Sequence, residues 1–334
     1  MKKLQIIQKN ALNMSNDITT IKPSINNTSI NNSRSKLSKD LYQSRYLLIL
    51  LLPAIIYYIL FHYVPMWGVL IAFKDYKAFL GFQKSPWVGF KYFKMFFESY
   101  DAFNVIRNTF LLGIYSIFWG FPAPLIFALV LNEVRNLKFK KIVQTISYMP
   151  HFLSTVVVVG IIQLLLSSTN GIVNQIIYSL GYEKINFLQK PGYFRTIYIA
   201  SDIWQGMGWG AIVYIAALTN IDPQLYEASV IDGANKFRQL IHITLPGIAP
   251  TTITLLLLRM GRVLSVGFEK VYLLQNPTIY STSEVISTYV YSQGMVGGKF
   301  SYGTAVGLFN TLINFVFLIA SNYLARAFTE TSLW

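Results

Sequence analysis

Long apolar runs separated by polar stretches dominate the hydropathy pattern of this chain. Windows at about 46–66, 108–131, 142–166, 196–219, 247–268 and 303–325 are each mostly apolar and reach the roughly 20 residues that a helix needs to cross a bilayer. They predict an all-α polytopic membrane protein with six spans and a transmembrane domain over 46–325. Pro53, Pro65, Pro122, Pro124 and Pro150 fall inside or at the ends of these windows, where kinks are expected. Residues 1–45 are rich in Asn, Ser, Lys and Thr with no sustained apolar period and read as a disordered tail. Residues 326–334 read as a second short tail. The first window lacks a small-x-small cleavage site and is expected to be a retained anchor.

The most polar break between spans, residues 220–246, has structure of its own. Asp222 is placed as an N-cap and Pro223 as a first-turn residue, so a helix is expected from about Gln224 to Asp232. Gly233 permits a left-handed stop. A second amphipathic segment carries Phe237, Leu240, Ile241 and Leu245 at helical spacing, and Pro246 is expected to close it before the next span. The product is a short helix–turn–helix knob at the membrane surface.

Charge gives the orientation. The chain has 334 residues, 53% apolar and 13% charged, with a net charge of +14; soluble domains carry roughly 25% charged residues. The cluster Arg135, Lys138, Lys140 and Lys141 lies in a short connection, where the positive-inside rule is strongest. It places the knob and both termini in the cytoplasm. The basic residues are spread over many loops, which argues against nucleic-acid binding. There are no cysteines, hence no disulfides or thiolate chemistry. His62, His151 and His242 form no ligand-spaced pair, and no metal site is expected. Gly297-Gly298-Lys299-Phe300 lacks the spacing and hydroxyl of a P-loop. No other catalytic motif is present, and Asp202 is the only acidic residue within a span. The two long outer segments differ in character. Residues 67–104 are densely aromatic and are expected to lie along the membrane interface or to dock an external partner. Residues 269–302 carry turn signals at Gln275-Asn276-Pro277 and from Gly294 to Gly298.

The knob resembles the signature of ABC importer permeases: Glu-Ala-Ala, three residues, Gly, nine residues, Ile-x-Leu-Pro. Here it reads Glu227-Ala228-Ser229, Gly233 and Ile243-Thr244-Leu245-Pro246, with Ser229 for the second Ala. Arg107-Asn108-Thr109, Tyr148-Met149-Pro150-His151-Phe152 and the string from Gly267-Phe268-Glu269-Lys270 to Gln275-Asn276-Pro277 resemble carbohydrate permeases of the maltose-transporter type, in the polysaccharide subgroup. The resemblance implies a type I ABC importer permease fold in a bacterial cytoplasmic membrane. It also implies a second related permease subunit, two cytoplasmic ATPase subunits and an extracytoplasmic solute-binding protein. ATP and Mg would sit on the ATPases and no cofactor on this chain. Glu227, Ala228, Ser229, Asp232, Gly233 and Pro246 would couple it to the ATPases, which drive oligosaccharide import by alternating access.

Charges at the bilayer centre cost about 2.5–3.5 kcal/mol on insertion scales and should face protein or water. Arg259 and Arg262, three apart, share one helix face in the outer half of the fifth window, and Asp202 lies at comparable depth in the fourth. One reading is an ion pair between Asp202 and one arginine. The sharper reading puts an unpaired arginine in the translocation cavity, where it would bind a carboxylate or sulfate of an acidic oligosaccharide. Trp204, Gln205 and Trp209, together with Asn310 and Asn314, are candidate sugar contacts or helix-packing residues. A permease for another small solute and a secondary sugar transporter are the competing readings. The second would need a coupling-ion site and often internal repeats, and no repeat is evident.

Overall fold

The structure, a computed structural model, describes residues 45–265 and 267–328. Most of the expected N-terminal tail, and the C-terminal tail past residue 328, lie outside the described residues. The chain divides into two units between Trp67 and Gly68.

The first unit is helix α1, Arg45–Tyr58, continued by a π-turn, Ile59–Tyr63, and by Val64–Met66. None of its residues is buried. Leu50 is 81% exposed, so the helix has no protein core of its own, and lipid is the solvent its composition suits.

The second unit contains α2 (Lys91–Phe97), α3 (Ala102–Tyr115), α4 (Pro122–Glu133), α5 (Leu137–Tyr148), α6 (Thr155–Leu166), α7 (Ile172–Ser179), α8 (Phe194–Thr219), α9 (Pro223–Ile231), α10 (Lys236–Gln239), α11 (Leu245–Met260), α12 (Phe268–Leu274), α13 (Ile286–Val290) and α14 (Phe300–Phe328). Among the described residues the only β pairing is an isolated bridge, Lys74 to Trp87. Four helical runs are long and apolar enough to cross a membrane: Arg45–Phe73, Ala102–Glu133, Lys236–Met260 and Phe300–Tyr323.

Two of the six windows differ from expectation. The window at 142–166 is not one straight helix: Leu137–Phe152 and Thr155–Leu166 meet at 103°. Pro150 lies in the 3-10 turn before the break, and Ser154 restarts the helix as an N-cap, accepting from the Val157 amide at 3.4 Å. The window at 196–219 is the 26-residue α8, long enough but not apolar enough to stand with those four, because Arg195, Ser201, Asp202 and Gln205 interrupt it.

Pro246 does not end its segment. The helix runs on from Lys236 to Met260 through a π-turn, Leu240–Thr244. The same device recurs at Ile59–Tyr63 before Pro65 and at Ser116–Gly120 before Pro122. Proline lacks an N–H and its ring strikes the carbonyl four residues back. In all three cases that carbonyl belongs to the central residue of the π-turn (Phe61, Phe118 or His242), where the wider turn gives it room. Pro53 instead lies inside α1, and Pro124 in the first turn of α4.

Helix α8 is the axis of the second unit. Gly208 lies so close to the Ser147 backbone that a Cβ would overlap it. Toward the knob end, α8 packs through Ala211, Tyr214 and Leu218 on Ala128 and Ile248. Toward the far end, Phe194, Tyr198 and Ile199 pack with Val158, Val159 and Val271. The aromatic segment 67–104 is more than an interfacial strip. Phe96, 1% exposed, is buried with Tyr289 and Tyr302, and the Tyr76 amide donates to Ser301 Oγ at 2.9 Å. Asn108 and Thr109 tie α3 to the same region. Asn108 Nδ2 donates to the carbonyls of Ser281 and Glu284, each at 3.1 Å, and Thr109 Oγ1 accepts from the Ile286 amide at 2.8 Å.

Candidate functional site: an exposed knob and a charged cavity

The knob forms as its sequence dictates. Asp222 caps α9, accepting from the Gln224 amide at 2.9 Å. Gly233 adopts φ +75°. The amides of Gly233 and Ala234 then return to the carbonyls of Val230 (3.0 Å) and Ser229 (2.8 Å), the paired bonds of a Schellman stop. Asn235 caps the next segment through the Arg238 amide at 2.9 Å. Glu227, Ala228 and Asp232 are exposed, as are Val230 (64%), Ile231 (86%) and Phe237 (67%). The knob thus presents three exposed apolar side chains beside polar ones.

The two arms are laced from inside. Gln239, 5% exposed, donates from Nε2 to Ser229 Oγ at 2.9 Å, and Ser229 donates to the Tyr226 carbonyl at 2.7 Å. Tyr226 OH lies 3.0 Å from Thr244 Oγ1. The one departure from the signature, Ser229, thus supplies a hydroxyl that Gln239 uses. The lacing was not legible from spacing, because nothing in the sequence says that Gln239 turns inward.

At the level of the π-turn in the second apolar run, α3, α8 and α11 enclose a cavity of ≈ 510 Å³ whose polar lining is Ser116, Asp202, Arg259, Arg262 and Ser265. Asp202 Oδ2 lies 3.7 Å from Arg259 Nη2, and Oδ1 lies 3.6 Å from Lys270 Nζ. Arg259 also donates to Ser116 Oγ at 2.5 Å and to the Ser116 carbonyl at 3.4 Å, so π-turn backbone lines the cavity, as irregular backbone at membrane depth must. Arg262 is in the turn just past α11, lines the same cavity, and has no side-chain hydrogen bond or ion pair among the described residues. The ion-pair reading holds for Arg259, and Arg262 lines the same cavity outside that pair. Lys270, 5% exposed, is the partner that sequence reasoning missed. It follows the fifth window in an outer segment, and only the fold returns it to Asp202.

The other candidates are dispersed. Gln205 touches the network, accepting from Lys270 Nζ at 3.5 Å and donating to the Leu153 carbonyl at the α5–α6 break at 3.2 Å. Trp209 stacks on His151 with centroids 4.6 Å apart and planes at 2°. Trp204 is 44% exposed. None of these three lines the cavity. Asn314 is spent on the turn after α11, accepting from the Leu264 amide at 3.0 Å and donating to Ser265 Oγ at 3.4 Å. Asn310 also lies off the cavity wall, its buried Oδ1 without a hydrogen bond. Among the described residues no cluster of His, Asp or Glu fits a metal ion.

Residues 120–330 match the family described as "Binding-protein-dependent transport system inner membrane component". The chain is 46% identical over 294 residues to Protein LplB of Bacillus subtilis (strain 168), covering 88% of this chain and 92% of the relative. It is 46% identical over 301 residues to the polygalacturonan/rhamnogalacturonan transport system permease protein YteP of the same organism, covering 90% and 94%. Among solved structures it is similar to a chain of a bacterial alginate ABC transporter in complex with an alginate pentasaccharide-bound periplasmic protein. That match has a TM-score of 0.83 at 41% identity and covers 89% of this chain and 100% of the other. A second, with a TM-score of 0.82 and 41% identity, is a bacterial ABC transporter involved in the import of the acidic polysaccharide alginate, covering 87% and 99%.

Proposed function

The chain belongs to the binding-protein-dependent transport system inner membrane components, and from that premise we propose that it carries acidic oligosaccharides, uronate- or sulfate-bearing, through its charged cavity. The coarser function is plain: it is a multi-pass membrane permease subunit of an oligosaccharide ABC importer and not an enzyme. The acidic specificity rests on Arg262. Asp202 neutralises Arg259 and is itself shared with buried Lys270, so the group leaves net positive charge in the cavity. The guanidinium without a counter-charge lines it. A planar fork of this kind takes a carboxylate or sulfate in two parallel bonds. The cargo named for YteP and for the alginate transporters supports the same substrate class.

For the remaining machinery we infer the arrangement that the family resemblance implies. The knob faces the cytoplasm with both termini. Its exposed apolar tip, Val230, Ile231 and Phe237, with Glu227, Ala228 and Asp232 beside it, seats in a cleft of an ATPase subunit. Ser229 and Gly233 hold its shape, and Pro246 lies where the knob passes into the span. ATP and Mg bind the two ATPases. A second, related permease subunit completes the pathway and an external binding protein delivers cargo. Closure of the ATPases pushes the knob, and α8, which ends at the knob and carries Asp202, transmits the movement to the cavity.

The test is uptake in vesicles holding the complete transporter, with uronate-containing and neutral oligosaccharides of equal length. Arg262→Ala should lower acidic uptake about tenfold or more, as expected for loss of a charge-assisted bond, and leave neutral uptake nearly unchanged. Unchanged acidic uptake would rule out the assignment of Arg262.

A further inference from the structure

A second pocket, of ≈ 520 Å³, lies on the other flank of the same π-turn. Its lining includes Tyr115, Trp119, Arg195, Thr196 and Ile203. The turn therefore serves two hollows, with Ser116 and Ile117 facing the charged cavity and Trp119 facing this one. Arg195 is the second residue of α8, at the end of the helix remote from the knob. Its Nη2 donates to Asn108 Oδ1 at 2.9 Å, while its buried Nε has no hydrogen-bond partner.

A guanidinium has donors only; with Nε closed off from solvent and Nη2 on Asn108, the remaining Nη nitrogen is the donor that Arg195 can offer to the pocket. No carboxylate lines the pocket. Neither Arg195 nor the neighbouring Arg107, which donates to the Ser281 carbonyl at 3.5 Å, forms an ion pair among the described residues. Two aromatic rings line the pocket with this guanidinium, and Trp119 is 60% exposed. A flat apolar face next to an anion-seeking fork fits a ring that has one hydrophobic side and one oxyanion. Among the solutes of an oligosaccharide importer, that ring is an acidic sugar.

We propose that Tyr115, Trp119 and Arg195 form a second subsite for an anionic sugar ring, on the other flank of the π-turn from the cavity that Arg262 lines. The ring stacks on Trp119 and its carboxylate or sulfate accepts from Arg195. This rests on the acidic-oligosaccharide reading above and extends it from one recognised residue to two along one chain.

The complete transporter, in vesicles of neutral phospholipid, is assayed for uptake of uronate oligosaccharides of increasing length and of neutral oligosaccharides matched in length. Trp119→Ala and Arg195→Gln should each raise KM for the longer acidic chains roughly tenfold, leave neutral chains within about twofold, and affect the shortest acidic substrate least. Arg262→Ala should act on acidic substrates of every length. If both pocket variants leave KM unchanged at all lengths while Arg262→Ala still discriminates, the second subsite is wrong and the proposed function stands. An equal loss for neutral and acidic sugars would assign Arg195 to holding Asn108 and overturn the subsite. So would a loss that follows added anionic phospholipid instead of the sugar, which would make the occupant a lipid headgroup. A wild-type transporter that does not distinguish acidic from neutral cargo would overturn both readings together. Trp119 is exposed and makes no hydrogen bond in the network, so its truncation keeps the test open if Arg195→Gln fails to fold.

Discussion

Gly233→Val isolates a backbone effect at the knob. A Cβ built at residue 233 meets no heavy atom within 4 Å, so a β-carbon there adds no clash. What changes is the cost of φ +75°, about 1–2 kcal/mol for an ordinary L-residue and more for a β-branched one. If the turn relaxes instead, the bonds from the Gly233 and Ala234 amides are lost, at about 0.5–1.5 kcal/mol each. The cheaper route sets the cost: about 1–2 kcal/mol for Ala, up to about 3 for Val, where loss of the two bonds caps it, and less for Asn, which enters the left-handed region more readily. The expected order of transport activity is therefore Gly, Asn, Ala, Val. The assay is substrate-stimulated ATP hydrolysis and uptake by reconstituted transporter, with membrane insertion measured in parallel. Hydrogen exchange at residues 233 and 234 reports the turn itself. Val should insert normally, exchange these amides faster and lose most of its stimulated activity. If Asn proves as damaging as Val, or Ala and Val match Gly, the left-handed backbone is not what the coupling needs.

Three further outcomes follow from the same structure. Ser229→Ala strips the acceptor from buried Gln239 and should destabilise the knob by about 1–2 kcal/mol despite the better helix propensity of Ala. Ser229→Ala combined with Gln239→Leu should recover part of that loss in a double-mutant cycle read by hydrogen exchange. Asp202→Asn leaves Lys270 buried without its counter-ion. With Asp202 and Arg259 more than a third exposed, the loss should be about 1–3 kcal/mol, below that of a fully buried pair. Thermal unfolding should show partial rescue by Lys270→Met, and no rescue would mean that Lys270 is not the group left unpaired. The Glu284 carboxyl is held above its ordinary pKa, first by burial and then by the charge of Asp101. Its folded form thus favours the proton, and its contribution to stability is full below the unfolded carboxylate pKa and lost as pH rises through the raised folded value. Glu284→Gln should flatten the fall in thermal stability on going from about pH 4.5 to neutrality, and an unaltered slope would reject that account.

The local rules that the knob obeys act within a few residues, so its helix, its cap at Asp222 and its glycine stop were readable from the sequence. Four of the six apolar windows were readable as well, because a bilayer selects length and apolarity directly. Three things needed the folded chain. Proline content forecast kinks, but whether a given proline breaks a run, as near Pro150, or is absorbed by a π-turn, as at Pro65, Pro122 and Pro246, depends on what packs against the freed backbone. The sequence offered Asp202 two arginines, and the fold gave it Arg259 and a lysine from another segment. That choice leaves Arg262 in the cavity without an ion-pair partner among the described residues. Asn314 and Trp209, plausible sugar contacts by residue type, were taken by a turn and by His151 respectively. Local chemistry sets which elements form. Which polar group is left without a partner is decided only when distant segments meet.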